Sequence, residues 1–434
     1  MSALRIHVRL SLVLSVVAIA LLAPGCSLVK SSANYTQQNF PVGSSNSNAE
    51  TAWRVTWAFE PHPYDANEQI WVLTGAEFMR GRKTVNGQSV EDWVRVLDRM
   101  AVAAMFVPYV ENGNRYADFL GYYTGLAQLD AKALNKQAYK PSTLYQDKLM
   151  KERTDDFVRW MEVGPGGYHA AARLRRGQAM TLWGMFSAYN YVYPVAFKFR
   201  DDGVIQVRIA ASGQNLAHAP IASNSHLHMG AWRIEPHLCA LGNSSCSPDQ
   251  VNIEKVSRRV VNGQETIVKE NFNGGTEGGT DWNPDEFTAL LATNPTEANG
   301  RPIPCTGGQT PPCTSQEPIG YALLPIRFGR ARFKASQTEG FLDHELWVTR
   351  RPSPPDPAEI FFADVSTYAN GQSLSGQRKV IWHKSAYNHI PRYEDLGIGQ
   401  NNSFNKHDGV AITNFTGFDL VPRNLMFKTP LYTP

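Results

Sequence analysis

The stretch from Ser187 to Glu235 constrains the fold of this chain more than any other. It reads Ser-Ala-Tyr-Asn-Tyr-Val-Tyr, then Pro-Val-Ala-Phe-Lys-Phe-Arg-Asp-Asp-Gly-Val-Ile-Gln-Val-Arg-Ile, and ends Ser-His-Leu-His-Met-Gly-Ala-Trp-Arg-Ile-Glu. Side chains of a strand alternate between two faces with period two. The run Val204 to Ile209 has that alternation, and Asp201-Asp202-Gly203 before it is a hairpin turn signal. A second strand from Ser225 to Trp232 puts His226 and His228 on one face. Two imidazoles about 7 Å apart along a strand can share one metal ion. A His-x-His by itself is more often an ordinary pair of core or surface histidines, so its neighbours have to decide.

Elsewhere the chain also reads as strands and turns. Trp53-Arg54-Val55-Thr56-Trp57-Ala58-Phe59 alternates like a strand, and regular structure resumes at the runs Ile319 to Pro325 and His344 to Thr349. Asp92 to Met105 fits helix or strand, and Leu144 to Val158 looks helical within a polar, charged stretch. From Val251 to Pro312, glycine- and proline-rich segments mark loops. Mainly β content in one large domain, residues 51–434, is the expectation. A hydrophobic fraction of 42% with ten tryptophans supplies a core of that size. The formal net charge of +3 gives no footprint for nucleic acid.

The start of the chain looks like an export signal. Arg5, His7 and Arg9 precede an apolar run from Leu10 to Leu22, short for a membrane-spanning helix. The run ends Leu22-Ala23-Pro24-Gly25-Cys26, similar to a bacterial lipoprotein processing box in which Cys26 is the acylated residue. Residues 1–26 are therefore expected to be a signal peptide and residues 27–50, rich in Ser, Asn and Gln, a flexible tether. The mature protein is expected outside the cytoplasm, attached to a membrane if Cys26 is acylated. Four cysteines follow Cys26, and an even number in an exported chain points to disulfides. Three pairings are open, of which Cys239–Cys246 and Cys305–Cys313 are the simplest.

Set in order along the chain, several motifs resemble those of the copper-containing amine oxidases, which build topaquinone from one of their own tyrosines. Asn190-Tyr191-Val192-Tyr193 resembles the family's Asn-Tyr-Asp/Glu-Tyr. His226-Leu227-His228-Met229-Gly230-Ala231-Trp232-Arg233-Ile234-Glu235 resembles its His-x-His-x-Phe-x-x-Arg-Leu-Asp. Val107-Pro108-Tyr109 and Tyr116-Ala117-Asp118 resemble its Val-Pro-Tyr and Tyr-x-Asp elements. Asn388-His389-Ile390-Pro391-Arg392-Tyr393-Glu394-Asp395 resembles its His-Ile/Val-Pro-Arg-x-Glu-Asp, and Gly417 to Asn424 its Gly-Phe-x-Leu-x-Pro-x-Asn. His383 and His407 are nearby but lack those neighbours. Val192 stands where the family is acidic, Gly230 where it has phenylalanine, and the match weakens after Asp118.

The resemblance covers about residues 53–434, with gaps, and implies the catalytic region alone. It implies a large antiparallel β-sandwich and a homodimer. It also implies copper(II) on His226, His228 and His389, and topaquinone from Tyr191. Asp118 would be the catalytic base, Tyr116 the gate of the substrate channel, Tyr109 a hydrogen-bond partner of the quinone, and Asn190 a residue that orients it. The implied reaction is the oxidative deamination of primary amines by O₂ to aldehydes, ammonia and hydrogen peroxide. The competing reading is a non-catalytic exported protein that keeps the sandwich and binds copper or another ligand.

Overall fold

A computed structural model describes residues 29–35, 51–62, 65–108, 115–116, 124–129, 142–145, 147–163, 172–188, 191–213, 226–286, 289–300, 313–326, 343–351, 365–389 and 414–426. These form two antiparallel sheets. In chain order the strands are β1 (Val29–Tyr35), β2 (Thr51–His62), β3 (Asp65–Val85), β4 (Gln88–Pro108), β5 (Arg115–Tyr116), β6 (Thr124–Leu126), β7 (Ser142–Tyr145), β8 (Leu149–Val163), β9 (Ala172–Ala188) and β10 (Tyr191–Arg200). They continue as β11 (Ile205–Gly213), β12 (His226–Ala240), β13 (Asn252–Val261), β14 (Gln264–Asn271), β15 (Gly278–Thr280), β16 (Ala289–Ala298), β17 (Pro318–Pro325), β18 (Leu346–Arg350), β19 (Lys379–His389) and β20 (Asn414–Arg423). The first sheet runs β1-β2-β3-β4-β12-β19-β18-β15, with β5 on β4. The second runs β14-β13-β16-β17-β20-β11-β10-β9-β8-β7, with β6 on β9.

The local chemistry explains the central hairpin. In β10, Tyr191, Tyr193, Val195, Phe197 and Phe199 are buried while the residues between them are half-exposed. Aromatic and β-branched residues at every second position suit a half-buried pleated strand. Gly203, at φ 83°, closes the turn, and Arg200 N–H donates to the Val204 carbonyl at 2.9 Å. The inner faces of the two sheets meet in an aromatic layer. Phe197 of β10 packs edge-on against Trp232 of β12 (5.8 Å between ring centres), and Trp232 against Phe418 of β20 at the same distance. Burying each such ring contributes roughly 1.5–3 kcal/mol.

Strands β12 and β19 are buried on both faces, which hides the alternation expected of a half-solvated strand. Their outer face is covered too: Met229, Ala231 and Trp382 pack with Phe106, Trp347 and Val365, the last in the short helix α1 (Val365–Tyr368).

Three expectations change. The stretch from Val251 to Pro312, read as loops, carries β13, β14, β15 and β16, whose pairing with neighbouring strands overrides its glycine- and proline-rich turn signals. Leu144 to Val158 is not helical: it forms β7 and β8, joined through Asp147 at φ 52°, and β8 pairs along β9. Helix propensity is a weak prior there, and pairing with a long neighbouring strand overrides it. Val29–Tyr35, inside the segment read as a tether, forms β1 and pairs with β2. The ambiguous stretch Asp92 to Met105 lies within β4. Cys239 and Cys246 are bridged as expected, and Cys313 is also disulfide-bonded, while Cys305 lies outside the described residues. Among the described residues, no helix is long and apolar enough to cross a membrane.

Candidate metal centre

The site lies between the sheets, at the end where β10 and β12 begin and β4, β11 and β19 finish. His226 and His228 sit two apart on β12, and the antiparallel register sets His389 directly opposite His226. Strand period and register alone thus gather three imidazoles on one inner face. All three are buried, at 2%, 2% and 8% exposure. From the opposite sheet, the first residue of β10 brings the buried Tyr191 hydroxyl to 3.0 Å from His226 Nε2.

His226 Nε2 is also met by His228 Nε2 at 2.9 Å and His389 Nδ1 at 3.0 Å. A ring nitrogen offers one hydrogen or one lone pair. Hydrogen bonding therefore satisfies at most one of these three approaches. A cation that accepts a lone pair from each imidazole relieves the crowding. The three ligand atoms all lie within 4.8 Å of one another, a spread that one ion can span. Burial, and then the neighbouring His226 and His389, hold His228 well below the usual histidine range, which keeps it in the neutral form that binds metals. An all-imidazole set suits copper, zinc, iron and nickel. The donor set therefore fits copper.

The ring of Tyr193 lies 5.9 Å from that of His228, and Tyr387 packs on the other side of His228 at 5.4 Å. Tyr387 was not singled out in the sequence, although it lies two residues before His389 and so shares its face. His383, one of the nearby histidines, is elsewhere in the core, between Trp282 and Phe418. His407 lies outside the described residues, as do Tyr109, Asp118 and Asn190. The backbone of Tyr116 is placed: it pairs with Val107 at the end of β4, next to Phe106, which pairs with Met229 of β12.

Gly230 has a reason in the structure. It shares the inner face with His226 and His228, and a Cβ there would lie 2.7 Å from Ile209 Cδ1. Ile209, reaching across from β11, fills the space that a side chain at position 230 would need. Val192 pairs with Ser187 and Ser212 and sits, half-exposed, on the face of β10 opposite Tyr191.

A two-sheet sandwich with a buried three-histidine centre between its layers is the class that fold and site define. The family model for the copper amine oxidase enzyme domain matches residues 84–430. The chain belongs to the copper amine oxidase family. Copper amine oxidase-like protein cao2 of Schizosaccharomyces pombe is 24% identical over 249 residues, which span 49% of this chain and 28% of that protein. Among solved structures, a copper-containing benzylamine oxidase from Hansenula polymorpha superposes with a TM-score of 0.57 at 13% identity, over 94% of this chain and 79% of its own. Lysyl oxidase from Pichia pastoris gives 0.57 at 15% identity, over 87% of this chain and 52% of its own. At these identities the likeness is one of fold.

Proposed function

We propose that this chain oxidises primary amines to aldehydes at the expense of O₂, releasing ammonia and hydrogen peroxide. Copper would be held by His226, His228 and His389, and Tyr191 would be the precursor of topaquinone. One observation carries the reading: the buried Tyr191 hydroxyl lies 3.0 Å from the histidine whose Nε2 the other two imidazoles share. Copper with O₂ would supply the oxidation of the Tyr191 ring, and the resulting quinone the electrophile and two-electron sink that no unmodified side chain offers.

The chain's own residues do the rest. The two sheets bury the tyrosine and the imidazoles together and keep bulk water from them. Asp118, two residues beyond the placed backbone of Tyr116, would take the α-proton from the bound amine. A positioned base of this kind contributes typically 10² to 10⁴ in rate. Tyr116 would guard the approach of the amine, while Tyr109 and Asn190 would hold the ring of residue 191 in orientation. The Cys239–Cys246 bridge supports export to an oxidising compartment.

The test starts from copper-free protein. Adding Cu(II) in air should turn it pink, and a primary amine should then give hydrogen peroxide. Tyr191→Phe should bind copper and stay colourless. Asp118→Asn should turn pink yet stall before aldehyde release. A wild-type chain that binds copper and never develops a quinone absorption would favour the non-catalytic copper-binding reading instead.

A further inference from the structure

The metal-binding histidines and Tyr191 belong to different sheets, so their 3.0 Å approach depends on how firmly the sheets are held together at this end. The register between β10 and β11 pairs Tyr191 with Gly213 and Val192 with Ser212, then resumes at Val195 with Ile209. It skips Tyr193 and Pro194, which face Ala211 and Ala210. Proline has no N–H to give to a ladder. On the β11 side the pairing beside Tyr191 is therefore interrupted two residues along from it, while the pairing with β9 runs unbroken from Tyr191 to Arg200.

At that gap the other sheet reaches in. Tyr387 of β19 is buried, and its hydroxyl accepts from Ala211 N–H at 2.9 Å and lies 3.3 Å from the Ala211 carbonyl. The same residue stands opposite His228 in the β12–β19 register, and its ring packs against the His228 imidazole. Beside it, Thr416 Oγ1 donates to the Ala386 carbonyl at 3.2 Å, a second bond between the sheets. One side chain thus touches a metal ligand with its ring and ties down, with its hydroxyl, the strand that flanks β10.

We propose that Tyr387 is a positioning residue that sets the gap between the copper ligands and Tyr191, and so governs how fast Tyr191 is oxidised. It rests on the reading of Tyr191 as the cofactor precursor. Tyr387 acts through His228 and β11.

The test compares wild type, Tyr387→Phe, Tyr191→Phe and Tyr321→Phe, each prepared copper-free and given Cu(II) in air. Tyr321→Phe makes the same chemical change at the turn end of the hairpin, where the Tyr321 hydroxyl donates to the Gly203 carbonyl at 2.8 Å. Tyr387→Phe should bind one copper per chain and develop the quinone absorption at least tenfold more slowly than wild type. Tyr321→Phe should develop it at the wild-type rate, whatever its melting temperature. A wild type that stays colourless refutes the proposed function, and Cu(II) electron paramagnetic resonance then decides the role of Tyr387. Spectra of wild type and Tyr191→Phe should differ, because the hydroxyl is held at the metal, and that difference should vanish when Tyr387→Phe is added. Unchanged rate and spectrum in Tyr387→Phe, equal slowing in Tyr321→Phe, or loss of copper binding in Tyr387→Phe would each overturn the assignment.

Discussion

Two histidines on β19, His383 and His389, share a strand, a face and deep burial, at 1% and 8% exposure, yet they live in different chemistry. His389 meets two other imidazoles and, through His226, the Tyr191 hydroxyl. His383 meets the rings of Phe418 at 5.0 Å and Trp282 at 5.7 Å. Among the described residues neither of its ring nitrogens has a hydrogen-bond partner in good geometry, and the Glu345 carbonyl beside it is taken by Lys384 N–H at 2.9 Å. Burial therefore does not make a histidine functional. What sets His389 apart is the convergence of several lone pairs on one point, which could hold a metal ion, and it comes from the register between β12 and β19.

The sharpest way to break this comparison is to exchange the two residues' fates. His389→Ala should lose copper, with affinity down more than about a hundredfold, since outer partners of ligands alone account for about 10- to 100-fold. His383→Phe should keep one copper per chain. Metal analysis after dialysis separates them; copper lost equally from both would mean that His383 holds the site together.

The second expectation concerns acid. Burial, then the neighbouring Lys384, push His383 down to about 3, and the Glu345 backbone offsets this only in part. A folded-state pKa below the unfolded value near 6.5 means that the unfolded chain binds the proton first. The stability tied to neutral His383 is thus complete above about pH 6.5 and falls away as pH drops towards 3. At about 1.4 kcal/mol per unit, the loss across that window is on the order of 3 to 5 kcal/mol. His383→Phe should flatten the acid limb of copper-free stability, measured by urea unfolding between pH 6.5 and 4. An unchanged slope would assign the limb to other groups.

A smaller effect comes from the same inner face of β12. Gly230→Phe meets Ile209, and overpacking of this kind costs roughly 1–3 kcal/mol. Ile209→Ala should recover part of the loss. If Gly230→Phe is neutral alone, the contact with Ile209 does not explain the glycine.

Much of this was legible in the residues themselves. Alternation and the Asp-Asp-Gly turn marked β10 and β11, and the His-x-His spacing put two candidate ligands on one face. The third candidate ligand was legible only through its neighbours, because a cross-strand pair leaves no spacing signal in sequence: His226 and His389 meet by register alone. The long hairpin β3–β4 turns on Asn86-Gly87, with φ 51° and 78°, a type I′ signal that stood in the sequence unread. The double burial of β12 and β19 was hidden for the opposite reason: cover on the outer face removes the polar half of the alternation.

The smallest expected effect is none, and it concerns Val192. The family has an acid after the precursor tyrosine, so a valine there invites the suspicion that cofactor formation suffers. Strand geometry argues otherwise. Tyr191 and Tyr193 face the core, whereas Val192 points to the other side of β10 and is half-exposed. Its strand neighbours are Ser187 on β9 and Ser212 on β11, and no histidine of the centre stands on that face. A carboxylate at 192 would be screened by solvent and separated from the centre by the sheet itself. Val192→Glu should therefore bind copper as wild type does and develop the quinone absorption at a rate within about twofold of it, an electrostatic change of less than about 0.5 kcal/mol. Gly230→Phe, one strand away in the opposite sheet but on the inward face, should disturb both. A large acceleration in Val192→Glu would show that the outer face of β10 communicates with the histidine centre, and the contrast between inner and outer face would have to be abandoned.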